Sequence, residues 1–463
     1  MRADLLAADI DGLAEALEVV NAFDHALVGG FLRPQAATAD ALAELAIAVA
    51  GTPLAARVAE AADKAAAGAA GEEHLTAVAA ARTALLGSVH DALLATVDAA
   101  TGRTREPWTE PGTAAEPHAP NLRAAARSWL SELALGGWQG VDHDTVAGAA
   151  QVVTAMLPDA RLRRLAAILD GFAAELAASC PGASLDRFPE RRWADLWSRA
   201  MLLSQPGFAG TDAITTATGR LLPLGIDLTE HATAAQAQVH AIFEPADGGP
   251  SRIVRASVST PKPDTVVGMG VWQLLRPSMS LLAAFSEGRS MDVTDMALTA
   301  EGDLIWNDAQ ARLGDEAEAF ATARVALAAA SASPTAPLDR HPVRIAEPVF
   351  LEGYAVKKTD DELAFALPGL DLPVLADRLP EAGPLTVGHV AASTACIGLL
   401  RWDAGSFAIQ PLAVQTPVKK KPTAIHAGAW AGGAADASGT KAEKAADEAV
   451  KVLRERAGRL LRK

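Results

Sequence analysis

The spacing of apolar residues changes once along the chain, near Gln205, and this change limits the architecture more than any motif does. Before it, apolar side chains recur every three or four residues, as on the buried stripe of a helix. After it, short runs alternate, as on half-buried strands. Leu6, Ile10, Leu13, Leu17 and Val20 illustrate the first pattern, and Gln236 to Phe243 the second. The fold class predicted is α+β and multidomain, with a helical N-terminal half, a β-rich C-terminal half and a C-terminal amphipathic helix. A chain of 463 residues is also longer than one ordinary core.

Within the first half, residues 1–101 read as a four-helix bundle. Thr38 and Pro53 sit where a helix would start, and Leu75 to Val97 make one long stripe. Residues 102–120 hold four prolines and read as a linker. Helices are expected to resume over 121–205. The segment 206–330 reads as mixed, with hairpins where 236–243 meets 252–260 and where 291–298 meets 304–306. Residues 271–285 suggest a strand and then a short helix. A second linker is predicted at 331–342. Residues 343–416 read as a small barrel or sandwich, with OB-like and SH3-like barrels as the candidate forms. A flexible tether over 417–439 and an amphipathic helix over 440–463 complete the chain.

Charge is distributed unevenly. The chain carries a formal −15, yet residues 417–463 hold 11 Lys+Arg against 5 Asp+Glu. An acidic body repels polyanions, which confines any nucleic-acid or anionic-membrane affinity to the tail. The N-terminus has acids where a signal peptide would be basic and then apolar. The longest charge-free stretch, 382–400, is broken by Pro384, Gly383 and Gly388 and does not suit a spanning helix. With two distant cysteines, Cys180 and Cys396, these features lead to a cytoplasmic location with both thiols free.

Catalytic and ligand-binding signatures are weak. Gly268-Met269-Gly270 lacks the third glycine of a nucleotide loop, and no HExxH or GxSxG occurs. Asp142-His143-Asp144 reads as a helix cap with a solvated imidazole, because adjacent helical residues point in different directions. Cys396 follows His389 by seven residues, and a buried strand cysteine is the favoured reading over a catalytic pair. No catalytic, cofactor or metal residues are assigned, and no cofactor is expected.

Two segments suit a protein partner. In Arg187 to Leu203, Trp193 and Trp197 stand four apart beside Arg191, Arg192 and Arg199. Such a set composes either an interface anchor or a core helix with snorkelling arginines, the core being favoured. In the terminal helix, Ala442, Ala446, Ala449, Leu453, Ala457 and Leu460 form a stripe on a surface of mixed charge. Docking on a partner and folding back on the acidic body are both favoured over a nucleic-acid or membrane arm. The candidate contact residues are Trp193, Trp197, Arg192, Leu453, Leu460 and Arg456.

The run Arg191-Arg192-Trp193-Ala194-Asp195-Leu196-Trp197, with Arg199 to Leu203, resembles uncharacterised actinobacterial proteins. Those proteins are encoded beside SWIM-type zinc-finger, MoxR-type AAA+ ATPase and von Willebrand A-domain proteins. The resemblance covers under a tenth of the chain. It implies a non-catalytic accessory subunit of an ATPase-driven assembly. The function expected is thus a non-enzymatic adaptor or scaffold. The alternatives are an enzyme with its site between the helical and β parts, and nucleic-acid binding through the β-rich domain and basic tail.

Overall fold

The computed structural model describes residues 1–109, 118–206, 214–231, 233–359, 362–418, 421–434 and 436–460; the side chains of 418, 453, 457, 459 and 460 lie outside the description. As expected, helices dominate the first half and sheets the second.

Ten helices are described before residue 206: α1 (Ala3–Leu6), α2 (Leu13–Gly29), α3 (Ala36–Ala48), α4 (Ala55–Ala66), α5 (Glu72–Thr101), α6 (Pro120–Gly136), α7 (His143–Ala147), α8 (Ala149–Met156), α9 (Arg163–Ala178) and α10 (Glu190–Leu203). The two helical regions share one core, in which Phe23, Leu42 and Leu86 meet Leu130, Phe172 and Trp197. Tight approach of small residues makes this possible. A Cβ at Gly30 would stand 2.4 Å from the Gly137 nitrogen, and both glycines have φ near +70°. Only glycine fits where α2 and α6 end against each other.

Helix α5 crosses between cores. Its first half, through Leu86, packs in the helical core, whereas Val89, Leu93, Val97 and Ala100 pack with the C-terminal sheets. Thirty residues span about 45 Å, enough to reach both. The boundary expected at 101 therefore falls on an element that belongs to two cores.

The next unit contains β1 (Ile214–Glu230), β2 (Ala234–Pro245), β3 (Arg252–Pro261), α11 (Met269–Leu275), α12 (Leu281–Ser286), β4 (Arg289–Thr299), β5 (Asp303–Ile305) and β6 (Ala311–Glu316). Strand β1 pairs with both β2 and β4, β2 with β3, β3 in parallel with β5, and β5 with β4. The ring β1-β2-β3-β5-β4 closes on itself, and α11 and α12 lie between its third and fourth strands. This is the arrangement of an OB barrel. It stands earlier in the chain than the 343–416 segment where such a barrel was expected. Both hairpins form at the predicted positions, but 271–285 is helical throughout, without the expected strand. Trp272, Leu275, Leu282 and Phe285 are buried against the barrel core.

Helix α13 (Ala319–Ala326) follows. The last unit then stacks two sheets. One holds β8 (Ala355–Lys358), β9 (Leu363–Leu367) and β10 (Leu370–Pro373), and the other β7 (Glu347–Glu352), β11 (Ala395–Asp403), β12 (Ser406–Val418) and β13 (Lys421–His426). Helix α14 (Val387–Ala391) precedes β11. Phe365 and Leu372 of the first sheet share a core with Cys396, Leu400 and Ile409 of the second. The opposite face of β11 and β12, through Ile397 and Ala413, packs on Leu224, Ile242 and Ile253 of the barrel. Strand β11 is accordingly buried on both faces, which explains its unbroken apolar run.

In three segments expected to be loose, the described residues are held in place. Arg103 and Arg105, in the first Pro-rich stretch, bond to Glu347, and the backbone of Arg105 bridges Ala332. Residues 331–342 carry short 3-10 turns and pair with Arg252 and Arg105. The expected tether contains β13 and the buried Ala427, Trp430 and Ala431. Trp430 donates to Asp436, which anchors the start of α15 (Ala437–Leu460). Ala442 and Ala446 then pack on the barrel core, while Gln273 and Arg276 bond to Asp447 and Glu443 at 2.8 Å each. The terminal helix thus folds back on the body over its first half.

Candidate functional site

Strand β2 alternates strictly. Ala237, Val239, Ala241 and Phe243 fill the barrel, so Gln236, Gln238, His240 and Ile242 point outward. Their cross-strand neighbours on the same face are Ser259, Ser257, Arg255 and Ile253 of β3, and Thr229 and Asp227 of β1 oppose Gln236 and Gln238. This outer face changes from polar to apolar along its length. Its apolar end, Ile242 and Ile253, is sealed by the second sheet. Gly225, opposite His240, permits that contact, since a Cβ there would stand 2.7 Å from Leu412.

The polar end stays open as a cleft of about 670 Å³, within the roughly 300–1,000 Å³ usual for small-molecule sites. The barrel face is its floor. Residues 332–336 and 343–348, Arg401 of β11 and Arg105 beyond α5 form its walls, and Arg192 of α10 reaches its rim. All three units contribute.

Charged groups here are matched with care. Arg401 donates to Asp227 at 2.7 Å and to Gln410 at 2.6 Å, and Gln410 donates to Asp227 at 2.8 Å, closing a triangle between barrel and sheet. Arg255 donates to Asp303 at 2.8 Å and to the Glu301 carbonyl at 3.0 Å. Arg103 donates to Glu347 at 2.9 Å, and Arg105 binds Asp98 through two nitrogens and lies 3.1 Å from Glu347. Burial alone would raise the Glu347 carboxyl, but Arg105 and Arg103 hold it below its ordinary value.

His240 is the exception. It is wholly buried at the inner end of the cleft, and neither ring nitrogen meets a partner among the described residues. Burial pushes its pKa down to about 4, against the opposing pull of Asp227. The ring is therefore a neutral imidazole at pH 7, with one donor and one acceptor. Leaving buried polar atoms unpaired costs about 1–3 kcal/mol each, so such a group calls for a water, an ion or a ligand to meet it.

His341 and His426 are likewise pushed down to about 4, mainly by burial. Each of the three must stay neutral in the folded protein while it titrates normally once unfolded. The stability they contribute is complete above about pH 6.5 and falls as pH drops toward 4. Urea midpoints measured across this window are expected to decline steadily. The decline should be shallower in His426→Phe, whose ring fits between Phe285 and Phe320. An unchanged slope would rule out His426 as a contributor.

The residues chosen from sequence lie elsewhere. Trp193 and Trp197 are in the helical core: Trp193 stands edge-on to Trp138 at 5.9 Å, and Trp197 donates to the Leu130 carbonyl at 2.9 Å. Burial removes both as surface anchors, which corrects the interface reading. Arg192 is exposed, pairs with Glu175 and borders the cleft. A second groove, about 710 Å³ between α2 and the start of α10, is lined by Arg187 to Arg192 with Asn21 and Asp24. There Arg191 donates to both Asp24 and Asn21. Arg456 is exposed on α15, and the side chains of Leu453 and Leu460 lie outside the described residues. Asp142 caps α7, accepting from the Thr145 amide at 2.8 Å. His389 bonds locally to Thr386 and Pro384, and Cys396 is buried in the sheet core with its thiol pushed up by burial.

Apart from Arg192 at the rim, the cleft residues were not singled out in the sequence. Asp227, His240, Arg255, Glu347 and Arg401 are spread over 175 positions and meet only through the packing of barrel on sheet. The one local signal was Gln236-x-Gln238-x-His240, a polar set at strand spacing. Among the described residues no group of His, Cys, Asp and Glu is arranged to hold a metal, and no helix is long and apolar enough to cross a membrane. Comparison of the chain with family models, curated proteins and solved structures finds no match.

Proposed function

We propose that this protein binds a small polar molecule in the cleft between the barrel and its two neighbours. The observation that carries this reading is His240, buried with both nitrogens unpartnered at the end of a polar hollow. The outer face of strands two and three is also where OB barrels generally receive ligands. Here that face offers carboxamides, hydroxyls and an imidazole and has no Phe, Tyr or Trp among the lining residues. A platform for stacking bases is missing, which argues against single-stranded nucleic acid. Among the described cleft residues no pair of groups is placed as nucleophile and base, so binding rather than turnover is proposed, in a cytoplasmic protein.

Gln236 is exposed and its side chain makes no hydrogen bond among the described residues, so Gln236→Trp can fill the cleft without disturbing either core. Stability should change by no more than about 0.5 kcal/mol. Equilibrium dialysis against a metabolite mixture, read by mass spectrometry, is expected to enrich polar compounds on the wild-type protein and not on the variant. Equal enrichment on both would refute the cleft as the site.

The adaptor reading is supported by a different feature. Among the described side chains of α15, those seated on the barrel lie in its first half, while Val452, Arg454, Glu455 and Arg456 beyond it are exposed. In that reading the free half docks on an accessory assembly of the kind the Arg191–Leu203 resemblance implies. Deleting 448–463, which spares Trp430 and the seated turns, should abolish co-purification of a specific partner and leave the melting temperature unchanged. Retention of that partner by the truncated protein would exclude the helix.

A further inference from the structure

We infer that the ligand of the cleft is an uncharged, hydroxyl-rich molecule of the sugar or polyol class, and that His240 is the residue that selects for it. This rests on the cleft reading above and adds to it the chemistry of the occupant.

The argument is an inventory of what the walls leave unused. Arg105, Arg192, Arg255, Arg344 and Arg401 line the cleft, and every one is already ion-paired: with Asp98 and Glu347, Glu175, Asp303, Asp339 and Asp227 respectively. An anionic ligand would have to displace a carboxylate from one of these pairs. At Arg105 and Arg401, whose pairs are largely buried, removing a partner is strongly unfavourable, and at the more exposed Arg192, Arg255 and Arg344 an anion must compete with a carboxylate already in place. A cationic ligand meets the same obstacle at Asp227 and Glu347 and finds only the Glu301 carboxylate without an ion pair among the described lining residues.

Apart from the Glu301 carboxylate, the lining groups without partners among the described residues are neutral. They are both His240 nitrogens, the Gln236 carboxamide, and the hydroxyls of Thr229, Ser333 and Thr335; the Gln238 carboxamide spends a hydrogen only on Ser257. Together they offer donors and acceptors in similar number along one strand face. A hydroxyl both donates and accepts, so it suits such a mixed row, whereas an anion only accepts. A planar base or aromatic ligand would find no Phe, Tyr or Trp ring to stack on among the lining residues. His240 occupies the innermost position, where a ligand hydroxyl is fully removed from water and an unmatched partner costs most.

The test uses the full-length protein with histidine labelled at Cε1 for NMR, the His240 resonance being identified by its loss in His240→Phe. The probes are trehalose and myo-inositol on one side, and glucose 6-phosphate, gluconate and AMP on the other. A neutral probe is expected to shift the His240 resonance and raise the melting temperature. Its affinity should fall about 10-fold or more in His240→Phe, the equivalent of a buried hydrogen bond. His240→Gln, which keeps a donor and an acceptor, should retain part of it. Gln236→Trp provides a second variant if His240→Phe fails to fold, and it should silence the shift entirely. A response to the charged probes alone would overturn the ligand class and leave the cleft standing. Silence of the His240 resonance toward both sets would overturn the inference together with the cleft reading.

Discussion

Asp24→Ala is expected to lower stability by about 3–5 kcal/mol, measured as a shift in the urea unfolding midpoint. Asp24 and Arg82 are both almost wholly buried, and the guanidinium grips the carboxylate at 2.5 and 3.0 Å. Arg191 adds a third bond at 3.0 Å from α10, so one carboxylate ties α2, α5 and α10 together. Removing it strands the Arg82 charge in the core with only Asp195, 3.8 Å away, to compensate. The loss is therefore dominated by the orphaned cation and not by the bond itself. Converting both partners, as in Asp24→Ala with Arg82→Met, should recover part of the stability. A single variant that loses less than about 1 kcal/mol would mean the cation has found another partner or water.

Trp197→Ala should be comparably damaging, about 3–5 kcal/mol, because a large buried ring is lost and its cavity cannot fully collapse. Its indole packs near Phe23 at 6.5 Å and its nitrogen holds the Leu130 carbonyl, which would be left unpaired. Arg192→Ala, five residues earlier on the same helix, removes only an exposed pair with Glu175 and should stay within about 1 kcal/mol. The contrast separates a core role from an interface role within one segment. If Trp197→Ala melted like the wild type, the ring would have to be outside the core.

The helical half was largely readable because its apolar stripes face one core each and leave polar faces to mark the period. The stripe Leu75 to Val97 was read correctly as one helix, yet nothing in its spacing showed that Val89 onward serves a different core. The hairpin of β2 and β3 was legible from its polar turn. Residues 271–285 were not, since Trp272, Leu275, Leu282 and Phe285 belong to short helices packed against the barrel core and carry too few polar positions to show a period. Proline content marked 102–120 and 331–342 as loose, but Arg105 and Ala332 are fixed by contacts from other units, which composition does not record. The cleft was hidden for the same reason: a buried histidine with unmatched nitrogens is a property of its surroundings, and Gln-x-Gln-x-His alone is an ordinary strand.

Because α5 runs through both the helical core and the stacked sheets, any attempt to dissect the molecule will meet an awkward choice. A fragment ending after this helix carries Val89, Leu93 and Val97 as an uncovered greasy strip, and a fragment beginning after it lacks a wall of its own interior. Neither piece should be soluble in isolation. Scanning calorimetry of the whole chain is expected to register one joint melting event, with the helix acting as the shaft that makes the parts come undone together.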